Sequence, residues 1–142
     1  MGKVKDILRV KGNNVYSVEP TIMVYQAIQL MCEKNIGGLL IVNNGHLEGI
    51  FTERDYARKL ILKGKSSKNT PISDLMTKNP ITITPDTTIE DCMNLMTGKF
   101  IRHLPVVDND HLVGLISIGD VVKHIIEEQK DIIEYLENYI SR

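Results

Sequence analysis

The chain has 142 residues with 17 basic and 18 acidic side chains, a formal net charge of −1, so no global field holds it on nucleic acid or an anionic membrane, and any anion site is local. Apolar residues at 42% and charged residues at 25% are ordinary globular proportions, and this length buries one sizeable core or two marginal lobes that need each other. No run of 18 apolar residues offers a membrane span, and Met1-Gly2-Lys3-Val4-Lys5-Asp6 lacks the apolar stretch of a secretory signal, which points to a cytoplasmic location.

The sequence repeats itself. An offset of 65 lays residues 15–56 over 80–121 without a gap, matching Pro20 with Pro85, Met31 with Met96, His46 with His111, Gly49 with Gly114 and Asp55 with Asp120. Upstream, Lys5-Asp6-Ile7-Leu8 resembles Ser73-Asp74-Leu75-Met76 at an offset of 68, so the first copy carries about three extra residues near Lys11 to Asn14. The first copy spans residues 1–62 and the second, with the last helix, 71–142; the polar, aperiodic stretch 63–70 links them.

In chain order, each copy opens with a short helical lead. Val24, Ile28, Met31 and Cys32 set a helix over residues 22–34, with Gly37-Gly38 placed as its left-handed cap. Apolar residues 39–42, the turn Asn43-Asn44-Gly45 and residues 47–51 read as a hairpin, and a helix starts at Glu53. The second copy repeats this: a helix over residues 89–99 opened by Thr88 and Asp91, strands 104–107 and 112–117 around Asp108-Asn109-Asp110, and a helix from Ile118. Each copy is thus β-α-β-β-α, an α/β (α+β) fold whose two repeats pack with pseudo-twofold symmetry. Cys32 and Cys92, lacking metal or redox spacing, fill helix faces.

Two junctions carry the candidate chemistry: Gly49-Ile50-Phe51-Thr52-Glu53-Arg54-Asp55 and Gly114-Leu115-Ile116-Ser117-Ile118-Gly119-Asp120. Both read Gly, two apolar residues, a hydroxyl, two variable residues and Asp. A helix start with a hydroxyl binds phosphate, and a carboxylate one turn on accepts both hydroxyls of a ribose. The same spacing is equally that of a plain capping box, and spacing alone does not choose. Arg102-His103 stands where the first copy has Gly37-Gly38, and either completes a phosphate pocket or is solvated. His46 and His111 read as turn residues and His124 as a helix-surface residue. No nucleophile with a positioned base, P-loop or metal cluster appears, which argues against an enzyme.

These tandem motifs, with Arg102-His103-Leu104-Pro105-Val106-Val107 and the lead Asp74-Leu75-Met76-Thr77, closely resemble the cystathionine-β-synthase (CBS) domain pair, or Bateman module, over nearly the whole chain. Residues 52–59 and 114–120 resemble its stand-alone bacterial subgroup. The resemblance implies a regulatory signal-transduction module without a catalytic cofactor, binding AMP, ADP, ATP, NAD or S-adenosylmethionine in two clefts between the copies. By position it assigns one cleft Thr52 for phosphate, Asp55 for ribose, Ile81 and Ile101 around adenine, and Arg102 or His103 on phosphate with help from Arg54. The other takes Ser117 and Asp120 with Tyr16, Ile36 and Gly38 around adenine. Leu40 departs from the family's usual proline, present in the second copy as Pro105, and alters the Asp120 cleft. The last helix, from about residue 119 toward 139, carries more apolar surface than a small lobe needs; a homodimer, head to head by the resemblance, is expected, with an effector protein outside this chain. The competing readings are a structural dimerisation module with empty clefts and a nucleotide-hydrolysing enzyme.

Overall fold

In the computed structural model, which describes residues 2–141, the elements alternate as a mixed α/β fold. They are α1 (Val4–Lys11), β1 (Ser17–Val18), α2 (Val24–Lys34), β2 (Gly38–Asn43), β3 (His46–Thr52), α3 (Glu53–Asp55, continued as a π-helical turn Tyr56–Ile61), a 3-10 turn Ile72–Asp74, β4 (Thr77–Lys78), α4 (Ile89–Lys99), β5 (His103–Asp108), β6 (His111–Ser117) and α5 (Ile118–Ile140).

The chain divides into two compact units. The central unit holds residues 14–81 with the hairpin tip 109–112; the terminal unit holds the remaining described residues, 2–13, 82–108 and 113–141. Compactness is thus drawn differently from the sequence repeats, because the leads change places. The lead helix α1 puts Val4, Ile7 and Leu8 into a core with Ile89, Cys92, Met96, Leu104, Val106, Ile116 and Val121. The second lead puts Ile72, Leu75 and Met76 into a core with Val24, Ala27, Met31, Leu39, Ile41, Phe51 and Leu60. The repeated glycines make room for this. A Cβ on Gly114 would lie 2.6 Å from Leu8 Cδ2, and one on Gly49 would lie 2.7 Å from Met76 Sδ and 2.8 Å from the Thr77 carbonyl oxygen. Leu8 and Met76 are the residues that the lead match aligns.

The central unit carries one sheet, β1-β2-β3-β4, with β1 parallel to β2 and the other pairs antiparallel. In the terminal unit β5 and β6 form a hairpin, and the expected first strand shrinks to a single parallel bridge between Ile83 and Val106. The Leu40/Pro105 difference explains this. Leu40 N donates to the Tyr16 carbonyl at 3.3 Å, extending the β1 ladder. Pro105, its counterpart, has no N–H to give, so only Ile83 N→Pro105 O and Val107 N→Ile83 O remain.

Both hairpins turn through left-handed pairs, Asn44-Gly45 (φ 52° and 81°) and Asn109-Asp110 (φ 49° and 64°), as type I′ turns require. The α2 start moves from residue 22 to Val24, where the Val24 and Tyr25 amides donate to the linker carbonyls of Thr70 and Ser67, each at 2.9 Å. The Gly37-Gly38 cap is corrected. α2 ends on Asn35 in the left-handed region (φ 54°) and α4 ends on Phe100 likewise (φ 55°), so Gly37 lies just before β2 and Gly38 begins it instead. Two further readings change: the second lead is a single 3-10 turn, and Cys32 is exposed whereas Cys92 is buried. No helix among the described residues is long and apolar enough to cross a membrane.

Candidate functional site

Both hydroxyl-x-x-Asp motifs start helices, and both close as capping boxes. In the central unit Thr52 N donates to Asp55 Oδ2 at 3.1 Å while Asp55 N donates to Thr52 Oγ1 at 3.3 Å. In the terminal unit Ser117 N donates to Asp120 Oδ2 at 2.8 Å and Asp120 N to Ser117 Oγ at 3.1 Å. Each first helical amide is also occupied by the residue before a strand, Glu53 N by the Gly37 carbonyl at 3.1 Å and Ile118 N by the Arg102 carbonyl at 2.9 Å. Within each unit the helix-to-strand junction therefore lies against that unit's own helix start.

The two carboxylates differ in what else holds them. Asp55 is only 9% exposed, and its Oδ1 accepts from Thr77 Oγ1 at 3.2 Å and pairs with Lys59 Nζ at 3.2 Å. Asp120 is half-buried; its Oδ2 also takes Lys11 Nζ at 2.6 Å, and among the described residues no hydrogen bond reaches its Oδ1. Burial pushes the Asp120 carboxyl up, but the Lys11 ammonium and the Ser117 amide outweigh it and hold it below its ordinary range.

Of the residues assigned by resemblance, Tyr16, Ile36, Gly38, Thr52, Arg54, Asp55 and Ile81 belong to the central unit, and Ile101, Arg102, His103, Ser117 and Asp120 to the terminal unit. Gly38 pairs with Thr52 in the β2–β3 register. Ile36 and Ile101 are corresponding residues, each half-buried at the edge of its own unit's core. Tyr16 is exposed with Lys34 Nζ 5.5 Å from its ring centroid, and Arg54 and Arg102 are exposed. His124, expected on the surface, is half-buried, with Nε2 3.4 Å from Glu128 Oε2. Among the described residues, no group of three or more His, Cys, Asp or Glu side chains is placed to hold a metal ion.

Sequence reasoning missed Lys59, Thr77 and Lys11. Lys59 was visible as an Asp–Lys pair four residues apart on one helix. Thr77 ends the quoted lead motif. Lys11 is 109 residues from Asp120, and its only signal was the extra residues of the first copy.

The CBS domain family model matches residues 4–62 and 72–127. The chain is 38% identical to the mitochondrial CBS domain-containing protein CBSX3 of Arabidopsis thaliana, over 97% of this chain and 71% of that protein. Among solved structures, a protein with CBS domains from Burkholderia ambifaria MC40-6 superposes with a TM-score of 0.87 at 46% identity, covering 90% of this chain and 96% of that one. The CBS domain pair of protein MJ0100, solved in complex with methylthioadenosine and S-adenosyl-L-methionine, superposes with a TM-score of 0.78 at 29% identity, covering 87% of this chain and 99% of that one. With its two copies matched in tandem, the chain belongs to the CBS-domain family.

Proposed function

We propose that the chain is a cytoplasmic regulatory module that binds an adenosine-containing ligand (AMP, ADP, ATP, NAD or S-adenosylmethionine) and passes its occupancy to a separate effector protein, working as a homodimer without catalysing a reaction. The observation that carries this reading is the Ser117–Asp120 start of α5. A hydroxyl and a carboxylate share the first turn of a 23-residue helix, and Asp120 Oδ1 is left to accept ribose hydroxyls beside the positive end of the helix dipole. The likeness to a domain pair solved with two adenosine derivatives supports the ligand class. Thr52 and Asp55 are proposed for the same roles in the central unit, Arg54, Arg102 and His103 for phosphate, and Tyr16, Ile36, Gly38, Ile81 and Ile101 for adenine.

The test is calorimetric titration of protein freed of copurified nucleotide with AMP, ATP, NAD and S-adenosylmethionine. Binding of at least one is expected, weakened by about 1.5–3 kcal/mol in Asp120→Ala, the range for a hydrogen bond to a charged group. Nucleotide recovered intact in stoichiometric amount excludes turnover. Closure of both capping boxes favours a second reading, a structural dimerisation module, which stands if none of the four ligands gives heat.

A further inference from the structure

α5 runs well beyond the core it helps to build. Val121 is fully buried, whereas Ile126, Ile133, Leu136 and Ile140 are 46%, 56%, 49% and 80% exposed. Val122, Ile126, Gln129, Ile133, Leu136 and Ile140 are separated by alternating steps of four and three residues. That is the 3.5-residue period of a seam between paired helices, as opposed to the 3.6 of a helix lying on a globular core. With Ile126, Ile133 and Ile140 at the a positions and Val122, Gln129 and Leu136 at d, the g positions are Ile125, Ile132 and Tyr139, all apolar or aromatic. The e positions are Lys123, Lys130 and Glu137, two basic and one acidic. Among the described residues Lys130 reaches only Glu127, at 3.9 Å with both side chains exposed, a contact that contributes little.

We propose that α5 pairs seam to seam with α5 of a second copy, and that the two helices run antiparallel. This rests on the homodimer reading given above and deepens it by naming the surface and its orientation. The charges choose the direction. In a parallel pair e faces g of the other helix, where this sequence offers Lys130 and Glu137 no charge. In an antiparallel pair e faces e, so Lys130 meets Glu137 of the second copy, twice by symmetry. The same register stacks Ile133 on Leu136 of the second copy in the two middle layers. It sends Gln129 to the outer layers, against Ile140, where its amide stays wet. Sliding by one heptad would keep two opposite-charge contacts, Lys123 with Glu137, but would bring Gln129 to the middle layers and Lys130 against Lys130, so the buried amide and the like-charge contact disfavour that register.

The experiment is sedimentation equilibrium on the full chain, with circular dichroism to confirm that each variant is folded. The wild type is expected to dimerise. Leu136→Glu and Ile133→Glu, each burying an unpaired charge in the seam, should weaken dimerisation at least about tenfold. Lys130→Glu and Glu137→Lys, on exposed positions that the fold does not use, should each weaken it by roughly two- to fivefold, and the double variant should regain wild-type association. A double variant no better than the singles overturns the antiparallel register. A dimer indifferent to Leu136→Glu and Ile133→Glu overturns the interface while leaving the homodimer reading in place. A wild type that stays monomeric at every concentration overturns both.

Discussion

Lys11 Nζ stands 2.6 Å from Asp120 Oδ2 and 2.7 Å from the Leu115 carbonyl oxygen, so a lysine at the end of α1 ties together the last strand and last helix of the terminal unit. The corresponding carboxylate of the central unit, Asp55, takes its cation from Lys59 on its own helix. Two copies of one motif therefore ended with different locks. The Asp55 lock is local and closed, whereas the Asp120 lock comes from the far end of the sequence and, among the described residues, leaves one carboxylate oxygen open.

The Lys11–Asp120 pair makes stability depend on pH in a defined direction. Asp120 is held below its ordinary range in the folded chain, so the unfolded chain takes up its proton first as pH falls. The stabilisation is complete above about pH 4 and is lost as pH drops through the depressed folded value. Lys11→Met should cost roughly 1 kcal/mol at pH 7, the value of a charged hydrogen bond discounted for partial exposure. Urea denaturation repeated from pH 7 down to pH 2 should show the gap between wild type and variant closing; a gap that holds constant throughout would refute the assignment.

Asp55 anchors Thr52, Thr77 and Lys59 from a buried position, and its loss leaves several of those groups without an acceptor. Asp55→Ala is expected to destabilise the chain by about 2–3 kcal/mol, more than Asp120→Ala. Thermal melts of the two variants without ligand decide this. Equal losses would mean that the closed network around Asp55 contributes nothing special.

The sequence announced both helix starts, at Glu53 and Ile118, and both hairpins, because hydroxyl-x-x-Asp spacing and Asn/Asp/Gly turns are local signals whose physics does not depend on the rest of the chain. It misplaced the α2 cap because glycine is the commoner left-handed residue, yet Asn35 and Phe100 take that conformation. The loss of a first strand in the second copy was legible in principle, since Pro105 cannot donate, but only once the parallel partner of β5 was known. The exchange of leads and the Lys11 contact are long-range packing facts, and no periodicity carries them.

The repeated glycines should respond unequally to substitution. A methyl on Gly49 meets the Thr77 carbonyl, part of the β3–β4 backbone, so relief requires moving a strand, whereas a methyl on Gly114 meets the end of the flexible Leu8 side chain. Overpacking costs about 1–3 kcal/mol; Gly49→Ala is expected toward the upper end and Gly114→Ala toward the lower. Chemical denaturation of the two variants tests the order. A reversal would show that Leu8 is less able to move than β4.

The two cysteines provide a readout of packing that needs no mutation. Cys32 is exposed on α2, while Cys92 is fully buried in the core of the terminal unit, where burial pushes its thiol up and keeps the reactive thiolate scarce. A thiol reagent such as dithiobis-nitrobenzoate at pH 8 should label Cys32 promptly and Cys92 only on the timescale of unfolding, with the slow phase accelerating as denaturant is added. Two fast equivalents in native buffer would mean that the Cys92 environment opens locally without global unfolding. Because Val4, Ile7 and Leu8 of α1 share that core, the same experiment on Lys11→Met asks whether loosening the end of α1 exposes it, and a faster second phase is the expected result.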